Sequence, residues 1–178
     1  RLLNTEDKVS LHGYTSAAGA YSTREAIAKY LRDTYNTDDT AENIYMTVGA
    51  AASLTITLSA IVCDGDEVIV LAPYFPEYRV FAESAGARVV EVKCRENDFQ
   101  IDIDALRKAV NKNTKAVIVN SPNNPTGAVF TEENIKALSA LLSKKEAEYS
   151  HPIYIISDEP YRELVYGDIK VPYTANYY

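Results

Sequence analysis

Apolar positions along the chain switch between two rhythms. Ala26, Ile27, Tyr30 and Leu31 recur at helical intervals after Ser22-Thr-Arg-Glu25, which has the spacing of a capping box, and the pattern runs to Asn36 and the acidic turn near Asp38. This spacing predicts an amphipathic helix. Further along, continuous β-branched runs take over: Glu67-Val-Ile-Val-Leu-Ala72 stopped by Pro73, then Arg88-Val-Val-Glu-Val-Lys93, Lys115 to Val119, and Ile153 to Ser157. Runs of this kind read as strands covered on both faces. Helices are expected between them: a short one before Arg88, one capped by Asp102 or Asp104 and reaching Val110, and a long one opened by Thr131-Glu-Glu and reaching about Tyr149. Leu54, Ile56, Leu58, Ala60 and Val62 alternate with Thr55, Thr57, Ser59 and Ile61, a period that by itself predicts a strand. The overall alternation of strand and helix implies a mainly parallel sheet with helices on both faces, a three-layer α/β/α arrangement.

Composition narrows the partners. At 178 residues and 47% hydrophobic, the chain is long enough for one packed domain with a sizeable core. A formal charge of -7 without a Lys/Arg-rich block argues against nucleic acid or an anionic membrane surface as partner. Cys63 and Cys94 lack metal-type spacing and the two histidines, His12 and His151, lie far apart, so no metal site is expected and both thiols are read as reduced. No long apolar span or leader pattern is seen, which makes the cytoplasm the expected location. The sequence opens on Arg1 rather than methionine, so the natural start is expected upstream.

Two segments carry candidate chemistry. Asn120-Ser-Pro-Asn-Asn-Pro-Thr-Gly127 and Ile155-Ile-Ser-Asp158-Glu-Pro-Tyr161 each end an apolar strand in polar residues and proline. Open α/β sheets bind ligands at the carboxyl ends of their strands. Alone, Asn124-Pro125-Thr126-Gly127 suits a type I turn, and a carboxylate after a strand is an ordinary turn or cap residue. Together, one helix-length apart, the segments mark a candidate ligand site at these strand ends. Gly49-Ala50-Ala51-Ala52-Ser53 adds a small-residue bend that lets the backbone approach a ligand.

With these motifs the chain, from about Tyr14 to Gly167, resembles the large, cofactor-binding domain of class I aminotransferases, within the class I/II family of fold-type I pyridoxal phosphate enzymes. Asp64-Gly-Asp-Glu-Val-Ile-Val-Leu-Ala-Pro-Tyr-Phe75 supports the match. The resemblance implies a helix, not a strand, at Leu54 to Val62, where threonines can bond back to the preceding turn. It also implies that Asp158 faces the pyridine nitrogen and stabilises its protonated form, making the ring a better electron sink. Asn124 and Tyr161 then donate to the phenolic oxygen, Gly49, Ala50 and Ala51 offer backbone N–H groups to the phosphate, and Phe75 stacks on the ring. Tyr14 resembles a tyrosine that reaches the phosphate of the neighbouring subunit, which implies a homodimer.

The family's Schiff-base lysine lies in a Ser-x-x-Lys-type segment a few tens of residues beyond the aspartate and tyrosine, and these 178 residues hold no such segment. Lys170, in Gly167-Asp-Ile-Lys170-Val-Pro, comes too early and does not match. The arginine that clamps the substrate carboxylate belongs to the small C-terminal domain of such enzymes. Residues 1–178 are therefore expected to be a single, incomplete cofactor-binding domain, inactive alone. The complete protein is expected to be an aminotransferase of amino acid metabolism acting on an amino acid and a 2-oxo acid, of aspartate-type or broad specificity. A carbon-sulfur lyase of the same fold and a non-catalytic effector-binding domain stay open as alternatives. A dinucleotide-binding domain is disfavoured, because no Gly-x-Gly-x-x-Gly follows a strand.

Overall fold

A computed structural model of the chain describes Asp7 and residues 11–178. The chain divides into two compact units, one ending at Val48 and the other spanning Gly49–Tyr178.

In the first unit, the helical rhythm after Gly19 becomes α1, Tyr21–Tyr35. The capping box does not form. The helix starts one residue before Ser22, with Ala20 at the N-cap and no side chain accepting there, and Glu25 instead takes the Arg32 guanidinium at 2.8 Å. Asn36 ends the helix in the left-handed conformation, its N–H closing on the Arg32 carbonyl. Buried Arg24 ties the unit together: its Nε donates to the Gly19 carbonyl at 3.2 Å and a second arm to the Ala41 carbonyl. Gly19, at φ 97°, has no alternative residue, since a Cβ there would stand 2.4 Å from Met46 Cγ.

The second unit contains α2 (Ala50–Ile61), β1 (Glu67–Ala72), α3 (Glu77–Ser84), β2 (Arg88–Lys93), α4 (Ile103–Ala109), β3 (Thr114–Asn120), α5 (Glu132–Tyr149) and β4 (Tyr154–Asp158). The strands form one sheet in the order β2-β1-β3-β4, with every pairing parallel. Alternation along β1 and β3 divides the core. Val68, Val70, Ala116 and Ile118 pack with Leu54 and Leu58 of α2 and Tyr78 and Ala82 of α3. Ile69, Leu71, Val117 and Val119 pack with Leu106 of α4 and Ile135, Leu138 and Leu142 of α5. Helices thus cover both faces, as the strand–helix alternation requires.

The helix α2 overrides its own alternation. Leu54, Leu58 and Val62 are buried one turn apart while Ile56 stays 59% exposed, so the apolar residues surround the axis and their period carries little information. Thr55 accommodates itself by donating its hydroxyl to the Ala51 carbonyl, four residues back, at 2.9 Å. The other expected caps form: Asp102 accepts from Ala105 N–H at 2.9 Å and Thr131 from Asn134 N–H at 3.2 Å. Among the described residues no helix is long and apolar enough to cross a membrane, and no group of His, Cys, Asp and Glu is arranged to hold a metal ion. Cys63 and Cys94 are unpaired.

Candidate active site at the strand ends

The strands β3 and β4 run in register, so that Asn120 stands opposite Asp158 where both strands end. Asn120 is buried, and a buried amide must find partners. Its Nδ2 donates to the Asp158 carbonyl at 2.9 Å and its Oδ1 accepts from the Asn124 N–H at 2.7 Å. One side chain therefore joins the two motifs.

The following loop is built by Asn123. Its Oδ1 accepts from the Thr126 N–H at 3.1 Å and hydroxyl at 2.8 Å, its carbonyl from Gly127 N–H at 2.8 Å, and its Nδ2 donates to the Pro73 carbonyl at 3.3 Å. The loop thus closes on Asn123, and the simple four-residue turn over Asn124–Gly127 is not what forms. Both Asn-Pro and Ser-Pro bonds in this loop, Asn124-Pro125 and Ser121-Pro122, are cis. Because Asn123 takes the structural bonds, the Asn124 side chain makes none to the described residues and lines a cavity instead.

That cavity, about 250 Å³, is bordered by Ala50, Ala51, Phe75, Asn124, Asp158 and Tyr161, all six of them expected from the sequence. Gly49, at φ 104°, is the N-cap of α2 and directs the helix start toward the wall formed by Ala50 and Ala51. The first N–H groups of a helix have no partner within it, and they carry the positive end of its dipole. With only methyl side chains there, the backbone supplies the polarity. Tyr14 lies in the other unit and is fully exposed.

The carboxylate of Asp158 is held by a residue that sequence reasoning missed. Tyr78, on α3 and only 2% exposed, donates its hydroxyl to Asp158 Oδ2 at 2.5 Å. Burial, reinforced by this bond, pushes the Tyr78 hydroxyl far above its ordinary pKa, so it stays a donor. The ring of Tyr78 meets Phe75 edge-on, with centroids 5.6 Å apart at 80°. Tyr74 is instead directed outward, with its hydroxyl on Glu91 at 2.6 Å and Arg79 on the same carboxylate oxygen at 2.6 Å. Of the two adjacent aromatics, Phe75 is the one at the cavity. The only sequence signal for Tyr78 was its three-residue spacing from Phe75; its contact with a residue 80 positions away left none.

Tyr161 lines the cavity with about a third of its surface exposed. Its neighbour Arg162 faces away, with its fork on Glu159 at 2.7 Å and on the Val171 and Pro172 carbonyls at 3.0 Å each, and its guanidinium lies 5.0 Å from the Tyr173 ring centre. The loop after Asp158 is thereby fixed. A second cavity of about 440 Å³ shares Asn124 and Tyr161 but is otherwise lined mainly by apolar residues such as Val129, Leu164 and Ile169. Its lining has no ionisable carboxylate or base, so the chemistry concentrates in the smaller one.

The chain is similar to known proteins in sequence and in fold. The chain is 41% identical over 154 residues to the aspartate/prephenate aminotransferase of Thermus thermophilus, covering 86% of the chain and 38% of that enzyme. A crystal structure of an aminotransferase from Eubacterium rectale superposes with a TM-score of 0.95 at 56% identity, covering 99% of this chain and 45% of that one. The aspartate aminotransferase of Thermus thermophilus solved with maleate gives 0.82 at 39% identity, over 89% of this chain and 40% of that one. The chain thus spans less than half the length of these relatives. The model for aminotransferase class I and II matches residues 2–176, and the chain belongs to that family.

Proposed function

We propose that these residues form the cofactor-binding part of a pyridoxal phosphate-dependent aminotransferase that moves an amino group between an amino acid and a 2-oxo acid. The observation that carries the reading is the convergence of Asp158, Asn124, Tyr161, Phe75 and the α2 N-terminus on one cavity. The donor set suits a flat, phosphorylated, cationic ring: a carboxylate for the ring nitrogen, an amide and a phenol for an oxyanion, an aromatic face, and helix-terminal N–H groups for a phosphate.

Once bound, the cofactor supplies an electron sink for the pair released at the amino acid's α-carbon. The protein's share is electrostatic. Asp158 holds a proton on the ring nitrogen, and Asn124 and Tyr161 donate to the phenolic oxygen and favour its ionised form. Phe75 fixes the plane of the ring. We assign the lysine that anchors the cofactor, and the arginine that holds the substrate carboxylate, to parts of the enzyme outside these 178 residues. Aspartate-type specificity is supported by the names of the relatives, one of which was solved with the dicarboxylate maleate. These relatives are aminotransferases, and nothing in the site favours the lyase or effector-domain alternatives.

We further propose a homodimer, to which the fully exposed Tyr14 contributes across the subunit boundary, and a cytoplasmic location in which Cys63 and Cys94 stay reduced. The test is turnover of the complete enzyme with L-aspartate and a 2-oxo acid, followed by loss of the amino acceptor's product in Asp158→Ala. A drop of about 10²–10³-fold is expected for removal of a preorganised charge. Undiminished turnover would remove the central argument, and keto acid release without any acceptor would point to elimination instead.

A further inference from the structure

We propose that Tyr78 is a positioning residue that serves two elements of the site at once, orienting Asp158 with its hydroxyl and Phe75 with its ring. The inference deepens the reading above and rests on it. Its basis is geometric: one buried side chain on α3 reaches Asp158 Oδ2 at 2.5 Å and packs edge-on against Phe75 with ring centroids 5.6 Å apart.

A carboxylate has two oxygens and several acceptor directions. Tyr78 occupies Oδ2, so Asp158 is held in one rotamer while Oδ1 is left for whatever fills the cavity. The choice of partner matters. Arginine or lysine would orient the carboxylate equally well, but would cancel the negative charge that a protonated ring nitrogen needs. A phenol that keeps its proton orients the carboxylate without neutralising it. The backbone half of Asp158 is fixed separately by Asn120 at its carbonyl, so Tyr78 acts on the side chain alone.

The ring of Tyr78 makes a second contribution. It lies between Tyr74, stacked on it at 6.5 Å and 11°, and Phe75, and Tyr74 is itself anchored to Glu91. Phe75 is therefore backed by an aromatic that cannot swing out, because its hydroxyl is tied to the end of β4. The stacking face and the charge partner of the ring nitrogen are set by the same residue.

The experiment uses the complete enzyme loaded with pyridoxal phosphate labelled with ¹⁵N at the ring nitrogen, comparing wild type, Tyr78→Phe, Tyr78→Leu and Asp158→Asn. The readouts are the ¹⁵N chemical shift at one fixed pH, the split between kcat and KM, and cofactor affinity. Tyr78→Phe is expected to shift the ring nitrogen part of the way toward its Asp158→Asn value, and to lower kcat about 10- to 100-fold, the weight of a hydrogen bond to a charged group, with KM little changed. Tyr78→Leu is expected to add a loss of cofactor affinity of about two- to tenfold, the weight of an aromatic pair. A ring nitrogen that responds to Asp158→Asn but not to Tyr78→Phe, with kcat retained, overturns the positioning role and leaves the cofactor reading standing. A ring nitrogen indifferent to Asp158→Asn overturns the cofactor reading and the positioning role with it. Because phenylalanine keeps the buried ring, the first comparison survives even if the leucine variant fails to fold.

Discussion

The two faces of the sheet are built from the same kinds of residue but end differently. On the α4–α5 face, Leu106, Ile135, Leu138, Leu142, Phe130 and Ile153 close over the strands with wholly apolar side chains. On the α2–α3 face the largest buried side chain is Tyr78, apolar in its ring and polar at its tip, and that tip emerges at Asp158. One face only holds the sheet together, whereas the other holds the sheet and the site with the same atoms. The difference shows how a parallel sheet can make its active end rigid: the packing of a core aromatic fixes the polar group at its edge, with no loop having to do so.

The sharpest way to break that comparison is to open a cavity on each face in turn. Leu142→Ala and Leu58→Ala should each cost about 2–5 kcal/mol of stability, read from denaturant midpoints. Only the second should also weaken cofactor binding in the protein that remains folded. Equal effects on binding would mean that the faces are not functionally distinct.

A smaller loss, about 1–3 kcal/mol, is expected for Asn123→Ala, which leaves Thr126 N–H without its acceptor and loosens the loop that presents Asn124. Its cofactor affinity should fall, while unchanged affinity would show that the loop keeps its shape without Asn123. Smaller again is Thr131→Ala, about 1 kcal/mol for a lost helix cap, with the site unaffected because α5 lies on the closed face.

A further effect is a pH dependence on the closed face. Burial pushes the Cys94 thiol from its ordinary 9.0 to about 11, so the folded state holds this proton more tightly than the unfolded chain. The stability it contributes is complete below pH 9 and is lost as pH rises toward about 11. Cys94→Ala should flatten that decline in thermal melts taken across the interval. An identical slope would assign the decline to other groups.

Much of the fold was legible in local pattern. The strands appear because buried parallel strands are written as unbroken β-branched runs, and Val68-Ile-Val-Leu71 admits few other readings. Helix ends were legible where a side chain does the capping, as at Asp102 and Thr131, and misread at Ser22, where the helix begins earlier with backbone alone. The Leu54–Val62 alternation pointed to a strand, and only the family resemblance corrected it, because a helix apolar on nearly all sides loses its period. In the candidate site, the cavity-lining Ala50, Ala51, Phe75, Asn124, Asp158 and Tyr161 were singled out by motifs and by the family resemblance those motifs carry. Tyr78 and the stitching role of Asn120 were not, since each depends on a partner brought close only by sheet register or helix packing: 80 residues away for Tyr78 and 38 for Asn120.

The most direct test of the site is a crystal structure of the complete enzyme with pyridoxal phosphate. The expected result places the ring nitrogen about 2.7–2.9 Å from an oxygen of Asp158, the range of a charge-assisted hydrogen bond, with Phe75 against the ring and the phosphate at the N–H groups of Gly49, Ala50 and Ala51. A ring bound elsewhere, or one whose nitrogen meets a group other than Asp158, would contradict the assignment of this cavity.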